Sequence, residues 1–303
     1  MSVAVANGFQ TRVRRGEPMS KHTSWRVGGP ADVFFVPRDR DDLAAFLRAL
    51  PAEAPLTWIG LGSNLLVRDG GIRGVVICTQ GAFTRLERLN ATHVHCDAGV
   101  PCARLARQCA AWGLGQAEFF SGIPGTLGGA LAMNAGAYGG ETWALVASVE
   151  TVDRAGRVRR RAREEFSVGY RHVGFPAPGE WFLSAELRFG PRQPGEEQRV
   201  RELTERRKQT QPLGSWSCGS VFTNPPGDHA GRLIEAAGLK GCRRGGAVVS
   251  AKHANFIINE GGASAHDIEA LIRHVQETVQ RVHGVALVPE VRIVGEESHA
   301  AQG

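Results

Sequence analysis

Residues Ser121–Glu141 read SGIPGTLGGALAMNAGAYGGE, and the fold turns on this stretch. It holds Gly122, Gly125, Gly128, Gly129, Gly136, Gly139 and Gly140 without a single Lys or Arg. Such a segment has little side-chain surface to bury, so its asset is its backbone. Glycine lets main-chain N–H groups approach an anion closely and adopt positive φ. A pyrophosphate is a natural guest, because amides neutralise it without a cationic side chain. The competing reading is a turn-rich region in which small residues relieve crowding. So many glycines with so few charges favour the phosphate cradle.

No G-x-x-x-x-G-K-[ST] occurs, which excludes a P-loop. Gly122, Gly125 and Gly128 are spaced G-x-x-G-x-x-G, not as in a Rossmann turn. A second glycine turn, Gly60-Leu61-Gly62-Ser63-Asn64, follows the apolar run Leu56–Ile59 but leads into LLVRDGG rather than a long helix. Two glycine loops on a chain of mixed helices and strands point to an extended dinucleotide gripped from two sides.

The length of 303 residues allows one large domain or two to three small ones. Hydrophobic residues make up 42% and charged residues 22%, which places the chain among globular proteins. The net charge of +6 is interspersed with acids. Its densest run, Arg154–Arg163, reads as a solvated face. There is no basic platform interleaved with aromatics, so nucleic acid is not expected as a partner; a modest positive field suits an anionic small substrate. Cys78, Cys96, Cys102, Cys109, Cys218 and Cys242 form no C-x-x-C and read as reduced, buried thiols of a cytoplasmic protein. His93 and His95 lack a third ligand at matching spacing, so no metal is expected. The first residues lack the apolar core of a signal peptide, and no run approaches the ~20 apolar residues of a membrane span, so no membrane insertion is expected.

Local patterns place helices at Asp39–Leu50, capped by Asp41, at Val100–Trp112, and at Asp228–Ala237 closed by Gly238. The clearest helix is Ser264–His283, with Ser264 as N-cap, Gly284 as its stop, and Ile268, Leu271, Ile272, Val275, Val279 and Val282 on one stripe. Strands are expected at Val33–Val36, Leu56–Gly60, Ile72–Ile77, Leu145–Asp153, Arg157–Arg161 and Trp181–Phe189. A hairpin is expected over Thr84–Asp97. Pro191–Gln198 is a polar linker and Arg201–Gln209 a charged helix end. Ala247–Asn259 reads as one extended apolar run, and Val285–Val294 as a last strand interrupted by Pro289.

With these pieces in place, the chain closely resembles the UDP-N-acetylenolpyruvoylglucosamine reductases (MurB) of peptidoglycan synthesis, in their shorter, type II branch. The matching words, in order, are TSWRVGGPAD (Thr23–Asp32), GLGSNLLV (Gly60–Val67), Ser121–Gly140, Gly169-Tyr170-Arg171, RKQTQP (Arg207–Pro212), CGSVFTNP (Cys218–Pro225), KHANFIIN (Lys252–Asn259) and PEVRIVG (Pro289–Gly295). The chain departs from the family pattern at Val173, where Ser is frequent, at Thr223, where Lys is common, and at Ala251, where Glu is frequent. Thr223 bears on how the substrate diphosphate is held.

The resemblance implies an α+β protein: a PCMH-type FAD-binding fold of two subdomains plus a C-terminal α/β substrate-binding domain. The expected boundaries are 1–190 for the FAD-binding domain (subdomains of about 1–80 and 81–190), 191–200 for a linker and 201–303 for the substrate domain. FAD is bound non-covalently, NADPH is the electron donor, and the substrate is a UDP-sugar bearing an enolpyruvyl group. A monomer is expected.

For FAD the resemblance implies Gly60, Gly62, Ser63, Asn64 and Leu65 in one loop. The other loop supplies Ser121, Gly122, Ile123, Pro124, Gly125, Thr126, Gly128 and Gly129, with Asn134, Gly136 and Ala137. Substrate contacts fall on Lys208, Gln211, Asn224, Lys252 and His253. Reduction of the alkene leaves charge beside a carboxylate. Arg171 matches the residue that binds it, since a guanidinium pairs with a carboxylate through two parallel bonds. Glu290 matches a second stabilising group, and Ser220 the proton donor. Two other readings are a PCMH-type flavin oxidase of an alcohol or sugar, for which His22 is the early histidine, and a non-catalytic nucleotide-sugar or flavin binding protein.

Overall fold

The computed structural model describes residues 7–298. The helices are α1 (Arg40–Ala49), α2 (Cys102–Ala111), α3 (Leu127–Ala132), α4 (Glu196–Thr210), α5 (Ala230–Ala236) and α6 (Ala265–His283). The chain divides into two compact units, each built from separated segments. Among the described residues the first comprises 7–14, 33–61 and 74–205; the second comprises 15–32, 62–73 and 206–298.

In the first unit a five-stranded antiparallel sheet runs in the order Val158–Ala162, Val146–Asp153, Glu180–Arg188, His93–Asp97, Leu86–Arg88. Its apolar face packs with α2, α3 and the glycine-rich stretch around Cys96, Leu105, Phe120, Leu127, Trp143 and Leu187. In a second sheet of this unit Leu56–Ile59 lies parallel to residues 75–78, with Leu56 opposite Val75. Phe35, Leu43, Phe46, Val75 and Ile77 form a second core beneath α1. The cap of α1 is Asp39, not Asp41: the Asp39 carboxylate accepts from the Asp42 amide at 2.7 Å. Asp42 is buried and bonded by Arg12, which leaves Asp41 as the exposed member of the first turn.

The glycine-rich stretch is less open than its composition implies. It holds a 3-10 turn (Glu118–Gly122), α3, and a short antiparallel pair of Gly136–Ala137 with Gly140–Glu141. The hairpin expected over Thr84–Asp97 forms between Leu86–Arg88 and His93–Asp97, turned by Asn90, whose Oδ1 accepts from the Thr92 and His93 amides. α4 opens at Glu196, inside the stretch read as linker.

In the second unit α6 is the organising element. Ser264 and Asp267 exchange side chain–backbone bonds at 3.0 and 2.9 Å, and Asp69 takes the Ala265 and His266 amides at 2.9 Å each. Ile268, Leu271, Ile272, Val275 and Val279 are buried with Trp25, Leu66, Phe222 and Ile234. Val282 departs from the expected stripe: it is 49% exposed, because the packing ends before the last turn. The run Ala247–Asn259 is not one strand. Ala247–Val249 and Ile257–Asn259 pair antiparallel, and the Ser250 hydroxyl accepts from the Lys252 and His253 amides to bend the chain between them. The last strand is also shorter than expected. Only Arg292–Val294 is regular, and it lies parallel to Leu65–Val67.

Candidate active site

In the first unit, Gly60 lies against Thr126. A Cβ at position 60 would fall 2.3 Å from Thr126 Oγ1, so only glycine permits this approach. Thr126 is 1% exposed, and among the described residues neither its hydroxyl nor its amide has a hydrogen-bond partner. Two unanswered polar groups at one buried residue mark a place where a ligand atom is expected. Nearby amides are already committed. Ile123, Gly125 and Gly128 donate to Phe120, Ile123 and Ala98 carbonyls, so these three residues do not offer the free amides inferred from their glycine content. The Ser121 hydroxyl donates to the Glu118 carbonyl, and Pro124 and Gly129 are exposed.

Arg171 belongs to the same unit and sits beside this stretch. Its Nη2 donates to the Gly136 carbonyl at 3.3 Å, and its guanidinium lies 5.5 Å from the Tyr170 ring centroid. Its backbone is left-handed, with φ +55°. Asn134, also left-handed at φ +46°, holds the turn that presents it. Asn134 Nδ2 donates to the Gly169 carbonyl at 3.1 Å and to Glu141 at 2.9 Å, and its Oδ1 accepts from the Trp143 amide. Non-glycine residues forced to positive φ cost energy and gather where geometry matters. Ala137 completes this group by packing where a Cβ at Gly122 would fall, 2.6 Å away.

The loop Gly60–Leu65 continues into the second unit. Gly62 is left-handed at φ +66°, and a Cβ there would strike the His22 carbonyl at 1.9 Å. The Gly62 carbonyl accepts from the Ser24 amide at 3.2 Å, while among the described residues the Gly62 and Ser63 amides donate to no carbonyl. Asn64 Nδ2 donates to the Glu290 carbonyl at 2.9 Å, and Leu65 is buried at the start of its strand.

The backbone segments that bear Ser220 and Glu290 run side by side in this unit. The Glu290 amide donates to the Val221 carbonyl at 2.7 Å, and Phe222 bridges Pro289. The left-handed Gly219, φ +74°, turns the chain just before Ser220. Asn255 locks the segment: its side chain bonds both the amide and the carbonyl of Phe222, at 3.0 and 2.8 Å, and its carbonyl takes the Val221 amide. Cys218 is held against the Gly62 and Leu65 carbonyls, and burial pushes its thiol up to about 12, so it stays protonated and inert.

The substrate candidates lie in the second unit too. Lys252 Nζ donates to the Lys208 carbonyl, which joins those two residues. Gln211 Oε1 accepts from Arg207 Nε at 2.8 Å. Asn224 Oδ1 accepts from the Ala230 amide at 3.1 Å and so caps α5, while the rest of its exposed side chain faces solvent. Burial lowers the pKa of His253, and its Nδ1 accepts from the Asn255 amide at 3.3 Å. His253 is therefore a neutral hydrogen-bonding group, not a counter-charge for a diphosphate. The sequence reading passed over Asn255 and Asn259, which anchor backbone segments of this unit. Their signal was present: two asparagines inside an apolar run require partners if the run is buried.

Residues 31–161 match the FAD binding domain family, and residues 211–294 match the family described as UDP-N-acetylenolpyruvoylglucosamine reductase, C-terminal domain. The reductase of that name from Alkalilimnicola ehrlichii is 62% identical over 288 residues, covering 94% of this chain and 95% of the relative. This chain belongs to the UDP-N-acetylenolpyruvoylglucosamine reductase family. Its relative from Nitrosococcus oceani is 58% identical, covering 98% of each chain. The crystal structure of the Thermus caldophilus family member, MurB, superposes with a TM-score of 0.81 at 35% identity, covering 93% of this chain and 98% of that one. The fold is accordingly α+β with the PCMH-type FAD-binding architecture of the family.

The residues present fit FAD. In the first unit the buried Thr126 hydroxyl and amide have no partner among the described residues, and the glycine-rich stretch contains no Lys or Arg of its own. In the second, the Gly62 and Ser63 amides are uncommitted. Amides and hydroxyls without a competing lysine are the donor set a dinucleotide pyrophosphate takes. Among the described residues no helix is long and apolar enough to cross a membrane.

Proposed function

We propose that this chain reduces the enolpyruvyl group of UDP-N-acetylglucosamine enolpyruvate to give UDP-N-acetylmuramate, a step in making peptidoglycan precursors. FAD, bound without a covalent link and reduced by NADPH, supplies the hydride when present. The protein supplies position and charge. Residues 1–190 carry most of the cofactor contacts and 201–303 the substrate contacts, with 191–200 between them.

Arg171 binds the substrate carboxylate. A guanidinium stays charged and matches a carboxylate with two parallel bonds, so it stabilises the negative charge that spreads onto that group as the alkene is reduced. Ser220 delivers the proton to the carbon that becomes basic. A serine is a weak acid, but transfer to an enolate needs alignment more than acidity. Glu290 shares a hydrogen bond with the same developing charge. Lys208 and Lys252 offset the diphosphate, while Gln211, Asn224 and His253 bond its neutral parts; Thr223 adds no charge there. The cofactor contacts are Gly60, Gly62–Leu65, Ser121–Thr126, Gly128, Gly129, Asn134, Gly136 and Ala137. The protein works as a monomer in the cytoplasm, where NADPH and UDP-sugars are at hand.

The observation that supports these roles above others is the hydrogen bond between the segments bearing Ser220 and Glu290. The test is spectroscopic. The purified yellow protein should be bleached by NADPH and recoloured, without oxygen, only by the enolpyruvyl UDP-sugar. In the absence of oxygen, recolouring without the enolpyruvyl substrate, or no recolouring when it is added, would reject the reading.

A further inference from the structure

We propose that Arg26 and Trp216 form a platform that stacks the ring of a nucleotide and pairs with its phosphate. The inference rests on the proposed reduction, whose two soluble substrates are both nucleotides.

Trp216 is 42% exposed, whereas Trp25 and Trp143 are fully buried. The Arg26 guanidinium lies over its ring, 5.1 Å from the centroid. Arg26 pairs with no carboxylate among the described residues, so its charge is available. To reach this place its backbone is left-handed, at φ +57°. Nothing in a β-unbranched cationic residue favours that conformation, and an exposed cation–aromatic contact stabilises no more than the strain costs. The arrangement is therefore held in place by its surroundings.

Buried Asn259 is what holds it. Its Nδ2 donates to the Trp25 carbonyl at 2.9 Å and its amide to the Trp216 carbonyl at 2.9 Å. One residue, through its side chain and its backbone amide, thus ties the turn bearing Arg26 to the segment bearing Trp216. The turn is fixed further by Thr23 Oγ1 on the Val27 carbonyl at 2.8 Å, and by Trp25 Nε1 on the Ile257 carbonyl at 2.7 Å. Its Ser24 amide bonds the Gly62 carbonyl, and Trp216 lies four residues before Ser220. The platform is thus continuous with the second unit's share of the site. An indole stacks on any base through the face its cation does not cover, and the guanidinium over the other face can pair with a phosphate.

The nucleotide comes either from the UDP-sugar or from the 2′-phosphoadenosine end of NADPH, and one experiment separates them. The FAD-loaded protein, W216A, W216F and R26G are titrated calorimetrically with UDP and with 2′,5′-ADP. Their FAD content and Tm are recorded. R26G relieves the backbone strain, so its Tm should not fall. W216A and R26G should weaken one nucleotide by about tenfold or more, with W216F within about threefold of the parent because its ring still stacks. Weakening of UDP alone assigns the platform to the sugar nucleotide; weakening of 2′,5′-ADP alone assigns it to NADPH. Unchanged affinities for both, or loss of FAD from W216A, overturns the platform. Turnover of the enolpyruvyl substrate by the parent is scored separately. Normal parent turnover with unaltered nucleotide binding in the variants rejects the platform alone, whereas no parent turnover rejects the proposed reaction.

Discussion

The Glu290 amide donates to the Val221 carbonyl at 2.7 Å, so the backbone just after Ser220 is bonded to the backbone that carries the Glu290 side chain. Displacing either segment displaces the other. If Ser220 gives the proton, Ser220→Ala should leave bleaching by NADPH untouched. Recolouring by the enolpyruvyl substrate should slow by about a hundredfold or more. Stopped-flow absorbance of the flavin separates the two half-reactions, and equal recolouring rates would remove Ser220 from the chemistry.

Asn255 anchors the segment that follows Ser220. Its side chain answers both polar groups of Phe222, a residue 2% exposed. Asn255→Ala should cost about 2–4 kcal/mol, because it leaves a buried amide and carbonyl unpaired. Thermal unfolding measures the loss. An unchanged Tm would mean that the segment is held by other means.

Gly60 and Thr126 should be energetically coupled. Gly60→Ala places a methyl against Thr126 Oγ1 and should weaken FAD binding. Combining it with Thr126→Ala removes the clash, so the double variant should bind FAD better than the sum of the singles allows, with a coupling of about 1–3 kcal/mol. Flavin fluorescence on titration of apoprotein gives all four affinities, and strict additivity would contradict the contact.

Acid should release the Arg68–Glu269 pair. Arg68 Nε and Nη2 each lie 2.9 Å from a Glu269 carboxylate oxygen, and this bond chiefly holds the Glu269 pKa below its ordinary 4.5. A lowered folded-state pKa contributes stability that is complete above the unfolded value. It is lost as pH falls below 4.5 through the folded value. Glu269→Gln should therefore lower Tm at neutral pH and flatten the decline of Tm on acidification. A variant curve parallel to the parent's between neutral and acid pH would refute this.

What could be read from the sequence was local. Ser264, Asp267 and Gly284 announce α6 because caps and stops act within one turn, and Gly284 duly stands at φ +70°. The glycine-rich stretch read as a backbone-lined cradle for the same reason, but the Ile123, Gly125 and Gly128 amides are spent on the Phe120, Ile123 and Ala98 carbonyls. Asp39 and Asp41 are chemically alike, and only the burial of Asp42 by distant Arg12 decides between them. The apolar run from Ala247 hid a hairpin, because its reversal depends on the Ser250 hydroxyl and not on a Gly or Pro. The site residues emerged only by resemblance. The Val221–Glu290 bond joins positions far apart in sequence, and no spacing rule reaches that far. The double anchoring by Asn255 and Asn259 is non-local for the same reason.

The parallel pairing of Leu65–Val67 with Arg292–Val294 constrains biosynthesis. The segment bearing Gly62 leaves the ribosome early, yet its strand partner is translated more than two hundred residues later. Trp25 likewise waits for the Ile257 carbonyl. Until then these apolar segments have no native cover, so the nascent chain passes through a long interval in which chaperones or premature pairing compete for them. Slower elongation before residue 257 should lengthen that exposure, and the yield of flavin-loaded protein should fall with it.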